Sequence, residues 1–364
     1  MKRRSFIKHT GLAGILAAGT APAFAQGAGE VKWRLTSSFP KSLDTIFGGA
    51  ESFAKYVSEA TDGKFQIQVF PPGDIAPALE AANKAGDGSV EMAHTALYYY
   101  WGKDPTYAIA TNIPFSLDYR GQNAWWYFGG GEQVMNEFLA TQNLVGIAAG
   151  NTGAQMGGWW RKEIKSIADV QGVKMRIGGF GGKVIAGIGV IPQQIPGGEI
   201  YQALEKGTID AAEWVGPYDD EKLGFNKVAK YYYYPAWWEG GPMLHVVVNK
   251  AKWESLPKSY QTLLRVAGGH ANQEMVAKYD FLNPQALRRM VGAGSELRAF
   301  PADVMEASFA AANKVYADLS ASNANWKKAY DSMIAYRKEI FLWEQIAELG
   351  FANFMMAQQR KKAL

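Results

Sequence analysis

The stretch EIYQALEKGTIDAAEWVG, residues 199–216, joins a helix pattern to a strand pattern. Its first half predicts an amphipathic helix that ends at a glycine turn, and its second half predicts a buried strand that carries an acidic residue. The stretch ALEAANKAGDGSVEMAHT, residues 78–95, has the same order of helix, glycine turn and strand. The two stretches differ too much to be a sequence repeat, but together they predict two lobes of similar α/β construction.

Strand and helix patterns alternate through the first two thirds of the chain. VKWRLTSSF (31–39) and KFQIQVF (64–70) alternate apolar and polar residues as strands do, and residues 43–60 between them have helical spacing. This strand, helix, strand order is typical of a parallel α/β sheet. From about residue 252 the pattern is helical, over segments 257–278, 284–291, 301–319 and 323–359.

The first 25 residues predict an export signal of the twin-arginine type. RRSFIK (3–8) precedes an apolar run at 11–18, and Ala-Phe-Ala at 23–25 matches a signal-peptidase site. The alternative, a membrane anchor, is disfavoured because a span takes about 20 apolar residues. We therefore expect cleavage near Ala25 and a periplasmic location.

The remaining composition excludes several classes of function. The chain has 38 basic and 34 acidic residues, and four of the basic ones lie in the leader, so the mature part carries no net charge. A neutral chain is not typical of a nucleic-acid partner. The absence of cysteine excludes disulfides, thiol catalysis and thiolate metal sites. A mature length of about 340 residues predicts about two domains.

KMRIGGFGGK, residues 174–183, resembles a phosphate-binding loop but is not one. Val184 occupies the position where a P-loop needs Ser or Thr, and Ile177 the position of its first glycine. Val184 also replaces the third glycine of the dinucleotide fingerprint. Arg176 instead ends a predicted strand, where ligands of open α/β sheets bind, and its planar guanidinium matches a carboxylate. A surface salt bridge is the alternative, and the sequence leaves both open.

Two glutamates and a glutamine predict a cation site of oxygen ligands. Glu213 ends the apolar strand TIDAAEWVG, Glu239 follows two tryptophans, and Gln155 follows the strand LVGIAAG. Buried carboxylates need a partner, and carboxylate and amide oxygens suit Na⁺ or Ca²⁺. With one ligand carboxylate and Arg176 the site would carry a charge of −2, which favours a divalent ion. The alternative is that these side chains pair with nearby lysines.

Three motifs give the chain a family resemblance: VFPPGDI (69–75), DVQGVKMRIGG (169–179) and EIYQALEKGTIDAAEW (199–214). Over essentially its whole mature length the chain resembles the DctP-type solute-binding proteins of tripartite ATP-independent periplasmic (TRAP) transporters. It is most similar to the subgroup that binds 2-oxo acids such as pyruvate together with sodium. The resemblance implies a two-lobe periplasmic-binding-protein-like fold with hinge strands, a long spanning helix, no enzymatic activity, and delivery of the ligand to a membrane permease.

The resemblance also implies roles for individual residues. Arg176 would bind the ligand carboxylate, and the cation would lie among Gln155, Glu213, the Trp214 carbonyl and Glu239. Further contacts to the substrate are expected from Gln155, Trp214, Tyr100 and Asn151, and the pocket wall from Trp214, Tyr100 and Phe180. Na⁺ is the cation that the subgroup favours, with Ca²⁺ as the alternative.

The C-terminal stretch FLWEQIAELGFANFMMA (341–357) is unusually apolar. It could pack on its own domain or on a second copy, and the resemblance implies a homodimer through this helix. The expected organisation is a leader at 1–25, lobe 1 mainly at 30–150, lobe 2 mainly at 151–250, a helical part with the spanning helix at 251–340, and the dimerisation helix at 341–364.

Three other functions stay open at this point. The chain could bind lactate or another 2-hydroxy acid with Ca²⁺. It could be a hydrolase or lyase that uses Glu213 and Glu239 as acid and base, although His94, His245 and His270 lie in no paired catalytic motif. Its 13% aromatic content would also suit a sugar receptor, but a sugar site has little use for Arg176 beside two carboxylates.

Overall fold

Residues 29–363 are described by the computed structural model, so the predicted signal peptide lies outside the described residues. The strands are β1 (Val31–Ser37), β2 (Phe65–Phe70), β3 (Met92–Thr95), β4 (Leu144–Asn151), β5 (Trp159–Trp160), β6 (Lys174–Arg176), β7 (Ile191–Gln193), β8 (Ala211–Ala212), β9 (Tyr231–Tyr234), β10 (Met243–Asn249) and β11 (Glu296–Ala299). The helices are α1 (Ile46–Glu59), α2 (Ala81–Gly86), α3 (Tyr107–Thr111), α4 (Tyr119–Phe128), α5 (Gly131–Ala140), α6 (Gly181–Ile185), α7 (Ile200–Glu205), α8 (Pro217–Leu223), α9 (Lys250–Ser255), α10 (Lys258–Gly292), α11 (Ala302–Ser322), α12 (Ala324–Ile346) and α13 (Glu348–Arg360).

The first lobe is built on a sheet with the strand order β2-β1-β3-β10-β4. In β2 the side chains of Phe65 and Ile67 are buried and those of Gln66 and Gln68 are exposed, which is the predicted alternation. Strands β1, β2 and β3 are parallel, whereas β10 runs antiparallel to β3 and β4. Helices α1 and α10 pack together and against this sheet.

The second lobe is built on a sheet with the order β11-β9-β5-β8-β6-β7. Here β6 is parallel to β7 and β8, and β5 is antiparallel to β8 and β9. The predicted two-lobe α/β fold is therefore confirmed. The expectation of parallel sheets holds only in part, because β5 and β10, which enter a sheet from the other lobe, run in the opposite direction.

The chain crosses between the lobes at residues 152–158, at residues 235–242 and through α10. The first two crossing segments lie side by side: the backbone amide of Thr152 donates to the carbonyl of Pro242 (3.3 Å), and that of Ala236 to the carbonyl of Gln155 (3.3 Å). The predicted lobe boundaries stay a prediction. Strand β10 lies in the first sheet, although its residues fall in the range expected mainly for lobe 2, because its buried run MLHVVVN pairs with β3 and β4.

Helix α10 is longer than the sequence pattern predicts. The pattern predicted separate helical segments at 257–278 and 284–291, and Pro284 lacks the N–H that an inner helical turn needs. Instead α10 continues through Pro284. Buried side chains on both sides, including Tyr279 before and Met290 after the proline, hold both halves against the core.

The C-terminal helices divide between the lobes. Helix α11 packs on α6 of the second lobe, and α12 packs on α3, α4 and α5 of the first. Helix α13 has no buried residue. Large apolar side chains are exposed along the end of α12 and along α13, at Phe341, Leu342, Trp343, Ile346, Leu349, Phe351, Phe354 and Met356. Among residues 29–363 no helix is both long enough and apolar enough to cross a membrane.

Candidate functional site

Arg176 and Glu213 meet at the edge of the second sheet. Arg176 is the last residue of β6, and Glu213 follows the end of β8, which pairs with β6 in parallel with Arg176 opposite Ala212. Parallel neighbours end at the same edge, so their next side chains converge. Both side chains are buried, with 2% and 0% of their surface exposed.

The guanidinium of Arg176 is fixed by hydrogen bonds within the second lobe. Its Nη1 donates to the backbone carbonyl of Glu213 (2.7 Å) and to Oε1 of the same residue, and its Nε donates to the carbonyl of Ile195 (3.0 Å). The guanidinium carbon also lies 5.0 Å from the centre of the Trp214 ring, within the range of a cation–π contact. These contacts pre-organise a positive charge inside the molecule.

The glycine-rich turn after β6 brings the two lobes into contact. Gly179 has a φ of +55°, and a Cβ placed there would lie 2.2 Å from Cδ2 of Tyr98, in the first lobe. Gly197 is similarly close to the indole of Trp214, since a Cβ there would lie 2.4 Å from Cη2. Only glycine allows these aromatic rings to pack directly on the backbone.

Gln155 and Glu239 lie on the two crossing segments. The backbone N–H of Gln155 donates to the backbone carbonyl of Glu239 (3.2 Å), and the side chains of both residues are buried. The side-chain Nε2 of Gln155 donates to the hydroxyl of Thr152 (3.0 Å), which orients the amide. Three of the buried acceptors that have no donor among the described residues belong to this group: Oε1 of Gln155, Oε2 of Glu213 and Oε2 of Glu239.

The two carboxyl groups are electrostatically strained. Burial raises the pKa of Glu213, and the Arg176 charge offsets only part of that rise. Burial and, secondly, the charge of Glu213 raise the pKa of Glu239 well above its usual range, while the Tyr98 hydroxyl lowers it. A cation that accepts oxygen ligands would satisfy the three free acceptors and relieve this repulsion, so these residues fit a Na⁺ or Ca²⁺ site.

Within residues 29–363 no group of three or more His, Cys, Asp or Glu side chains could hold a metal. The set described above has only two carboxylates, and its other oxygens come from an amide and from the backbone. It therefore differs from a site built on acidic or imidazole side chains.

Three side chains that were predicted to contact the ligand have other partners in the structure. The hydroxyl of Tyr100 accepts from the amide of Ala82 (2.8 Å), in α2. The side chain of Asn151 joins the crossing segments, because its Nδ2 donates to the carbonyl of Gly241 (3.1 Å). Phe180 stacks on Trp326 of α12, with 5.2 Å between the ring centres. Their roles in ligand binding stay predictions that these contacts do not favour.

Sequence reasoning missed the side chains that the first lobe places near Arg176. Tyr98 packs on Gly179. Tyr99 lies close enough to Arg176 that the arginine charge lowers the pKa of Tyr99, against the larger rise that burial causes. The ring of Phe39 lies 6.4 Å from that of Trp214. The run Tyr98-Tyr99-Tyr100 was visible, but which ring faces the cleft depends on a 3₁₀ turn over 97–100.

The histidines of the first sheet are structural. His94 on β3 and His245 on β10 are fully buried, and desolvation lowers the pKa of each to about 3. His94 packs its ring on Phe39 and His245 packs on Trp126. Both imidazoles are therefore neutral in the folded protein.

This neutrality predicts acid sensitivity. Below pH 6.5, the usual imidazole pKa, the unfolded chain takes up protons that the folded chain refuses down to about pH 3. Each such histidine lowers the free energy of unfolding by about 1.4 kcal/mol per pH unit as the pH falls through this window. The free energy of unfolding of His94→Gln and of wild type is measured with denaturant at pH 4, 5, 6 and 8. Relative to its value at pH 8, it should fall less steeply with pH in His94→Gln, by the equivalent of one proton. Equal slopes would contradict the assignment.

Comparison with known proteins places this chain in a family. The model of bacterial extracellular solute-binding protein family 7 (DctP) matches residues 36–323. The chain is 47% identical over 333 residues, 92% of its length and 91% of the relative's, to a protein of Nostoc sp. described as a monocarboxylate 2-oxoacid-binding periplasmic protein.

Two solved structures are similar over nearly their whole length. A TRAP transporter solute-binding protein of Bordetella bronchiseptica (45% identity, TM-score 0.90, 92% of this chain and 99% of that one) is a mixed-occupancy dimer with copurified calcium and picolinate. One of Pseudoalteromonas atlantica (35% identity, TM-score 0.86, 89% and 99%) holds sodium and pyruvate. The family predicted from sequence is thus confirmed: the chain belongs to the DctP family of TRAP transporter solute-binding proteins.

Proposed function

We propose that the protein captures a small 2-oxo acid such as pyruvate, together with Na⁺ or Ca²⁺, between its lobes and delivers it to a TRAP permease. One observation carries this proposal: a buried guanidinium lies beside two carboxyl groups and an amide whose free oxygens have no donor among the described residues. The pyruvate in the Pseudoalteromonas protein and the description of the Nostoc relative support the ligand class.

Arg176 recognises the carboxylate. Its hydrogen bonds from Nε and Nη1 hold the guanidinium plane, so a ligand meets a donor whose orientation is already set. Pre-organisation matters because ordering a flexible arginine on binding would reduce the affinity. The buried position also strengthens the charge-assisted hydrogen bonds.

Gln155, Glu213, Glu239 and the carbonyl of Trp214 would hold the cation. Its charge offsets the two glutamates and the ligand carboxylate, which with Arg176 sum to −2. A monovalent ion leaves −1 and a divalent ion leaves none, so the charge count favours Ca²⁺, while the similar structures contain either ion. A 2-oxo acid adds a carboxylate oxygen and an oxo oxygen as further hard ligands.

Aromatic rings limit the size of the ligand. Phe39, Tyr98 and Tyr99 from the first lobe face Trp214 and the glycine turn of the second. Rings that close on each other admit a short aliphatic tail and exclude a long one. Closure adds these contacts to those already made with one lobe, so the ligand selects the closed form.

Calorimetry of the mature protein tests the proposal. After exhaustive dialysis, pyruvate, lactate and a neutral sugar are titrated with Na⁺, with Ca²⁺ and with neither ion. We expect pyruvate binding that requires one of the ions. Tighter binding of lactate would identify a 2-hydroxy acid receptor, cation-independent sugar binding a sugar receptor, and consumption of pyruvate an enzyme that uses Glu213 and Glu239.

We propose in addition that the mature protein is a periplasmic homodimer joined by the apolar surface of α13 and the end of α12. Monomers seldom expose apolar patches of this size, and the Bordetella crystal contains a dimer. Deletion of residues 341–364 should therefore halve the mass in analytical ultracentrifugation, because the deletion removes the exposed apolar surface.

A matched variant separates the interface from the length of the chain. Trp343→Asp with Phe354→Asp keeps the helices but places charges on the exposed face, and it should also give monomers. Both variants should keep the pyruvate affinity of wild type. The far-UV circular dichroism should be unchanged in the point variant and should lose only the signal of the deleted helix in the deletion variant. An unchanged mass in both variants would contradict the dimer.

A further inference from the structure

We propose that Asp44 and Thr45, in the loop before α1, form with α8 and α10 a closure latch that sets how long the ligand is retained. The inference rests on the proposed function only in that closure is taken to retain a ligand. The latch has an outer ionic layer and an inner hydrogen-bonded layer, and its partners belong to different parts of the molecule.

The outer layer surrounds the carboxylate of Asp44, which lies in the first lobe. Lys222 of α8 forms an ion pair with Oδ1, and Lys278 of α10 forms one with Oδ2 (2.9 Å). The Tyr218 hydroxyl donates to Oδ1 (3.0 Å), and the ammonium of Lys278 also donates to the backbone carbonyl of Asp44 (2.7 Å). One carboxylate thus gathers three donors from two helices outside its own segment.

The inner layer is buried and centred on Asp219 of α8. The hydroxyl of Thr45 donates to its Oδ1 (2.6 Å) and the hydroxyl of Tyr279 to its Oδ2 (2.7 Å), and these three side chains are at most 2% exposed. A buried carboxylate depends on such donors. Separation of the lobes would remove Thr45 and leave that side of Asp219 to water.

Helix α8 connects the latch to the binding site. It begins at Pro217, three residues after Trp214, so it moves with the end of β8. The neighbouring Asp220 anchors α8 to the second sheet, because its Oδ2 accepts from Trp159 Nε1 (3.0 Å) and from the Tyr232 hydroxyl (2.7 Å). Adjacent acidic residues therefore face opposite ways, Asp220 into the second lobe and Asp219 toward the first.

The contacts of Asp44 and Thr45 with α8 join the two lobes and stabilise only the closed arrangement, whereas α10 packs on both α1 and α8. An ion pair within one lobe, such as Lys314 with Asp318 in α11, persists whether the lobes are open or closed. A contact across the lobes shifts the opening equilibrium instead, and through it the rate of ligand release. Its loss should raise the dissociation rate and leave the association rate nearly unchanged.

The test compares Asp44→Asn and Thr45→Val with Thr45→Ser, which keeps the hydroxyl, and with Asp318→Asn, which makes the same chemical change in a pair within one lobe. Because the chain has no cysteine, Glu59→Cys and Lys206→Cys place one spin label on each lobe without background labelling. Pulsed electron resonance then gives the distance between the lobes, with and without pyruvate and cation, and stopped flow gives the rates.

We expect the two latch variants to shift the distances toward the open form and to release pyruvate about 3–10-fold faster. Thr45→Ser and Asp318→Asn should match wild type. Distances and release rates in the latch variants that equal those of Asp318→Asn would overturn the proposal. If wild type does not bind pyruvate, the proposed function is refuted instead. The latch is then tested by the distances between the lobes without ligand, which should be longer in the latch variants than in Asp318→Asn.

Discussion

Replacement of Arg176 by methionine should lower the affinity for pyruvate by about 100-fold or more. The guanidinium is buried and held in plane, and each charge-assisted hydrogen bond to a carboxylate contributes about 1.5–3 kcal/mol. Methionine retains much of the volume of the side chain but has no donor. Calorimetry at saturating cation measures the loss directly, and affinity equal to wild type would refute the role of Arg176.

The same substitution also affects the folded state, and a second variant separates the two effects. Arg176 neutralises Glu213, so its removal leaves a buried carboxylate without its charge partner and should cost about 3–5 kcal/mol of stability. Arg176→Met combined with Glu213→Gln removes both charges and should recover much of that stability in denaturant unfolding. Pyruvate affinity should stay lost in the double variant. Wild-type affinity in the double variant would contradict the proposed roles of both residues.

Arg176→Lys examines the shape of the donor. Lysine keeps the positive charge but presents a single ammonium in place of a planar fork. It cannot reproduce together the contacts from Nε to the Ile195 carbonyl and from Nη1 to Glu213. We expect affinity between those of wild type and of Arg176→Met, and also intermediate stability, because lysine keeps the charge beside Glu213 but loses part of the buried hydrogen bonding.

The position of the central pair could be predicted in part from sequence, because both residues stand at the carboxyl ends of predicted strands. Arg176 ends β6 and Glu213 follows β8. Although β7 lies between them in the chain, β6 and β8 are parallel neighbours in the sheet, and such neighbours bring their ends together. Local patterns of period two and of 3.6 residues also identified β1, β2 and α1 close to their observed bounds. These features depend on few residues and on short separations along the chain.

Other features depend on tertiary packing that the sequence does not display. A 3₁₀ turn determines that Tyr98, and not Tyr100, faces the cleft. Residues three apart share a side of such a turn, so Tyr100 points with Leu97 into the first lobe and Tyr98 points away from it. Helix α10 continues through Pro284 because both of its halves are packed against the core. The contact of Thr45 with Asp219 joins residues 174 positions apart, and neither residue stands in a motif.

Glu239→Gln should separate cation binding from folding, because its two effects have opposite signs. Burial and the Glu213 charge disfavour the ionised carboxyl group, so a neutral amide of the same shape should keep or raise the stability of the protein without cation. The amide removes one negative charge from the proposed cation site. Changing a residue that merely supports a metal ligand lowers metal affinity by about 10–100-fold. Loss of a charged ligand should therefore lower the affinity for the cation by at least about 10-fold.

Titration of Na⁺ and of Ca²⁺ at fixed pyruvate gives both midpoints for Glu239→Gln. The control is Glu254→Gln, the same change at a surface residue that forms a 3.8 Å ion pair with Lys250. A larger shift for Ca²⁺ than for Na⁺ would indicate that the full negative charge serves a divalent ion, as the charge count favours. Cation midpoints identical to those of Glu254→Gln, with unchanged pyruvate affinity, would exclude Glu239 from the cation site and leave its unsatisfied oxygen to a bound water.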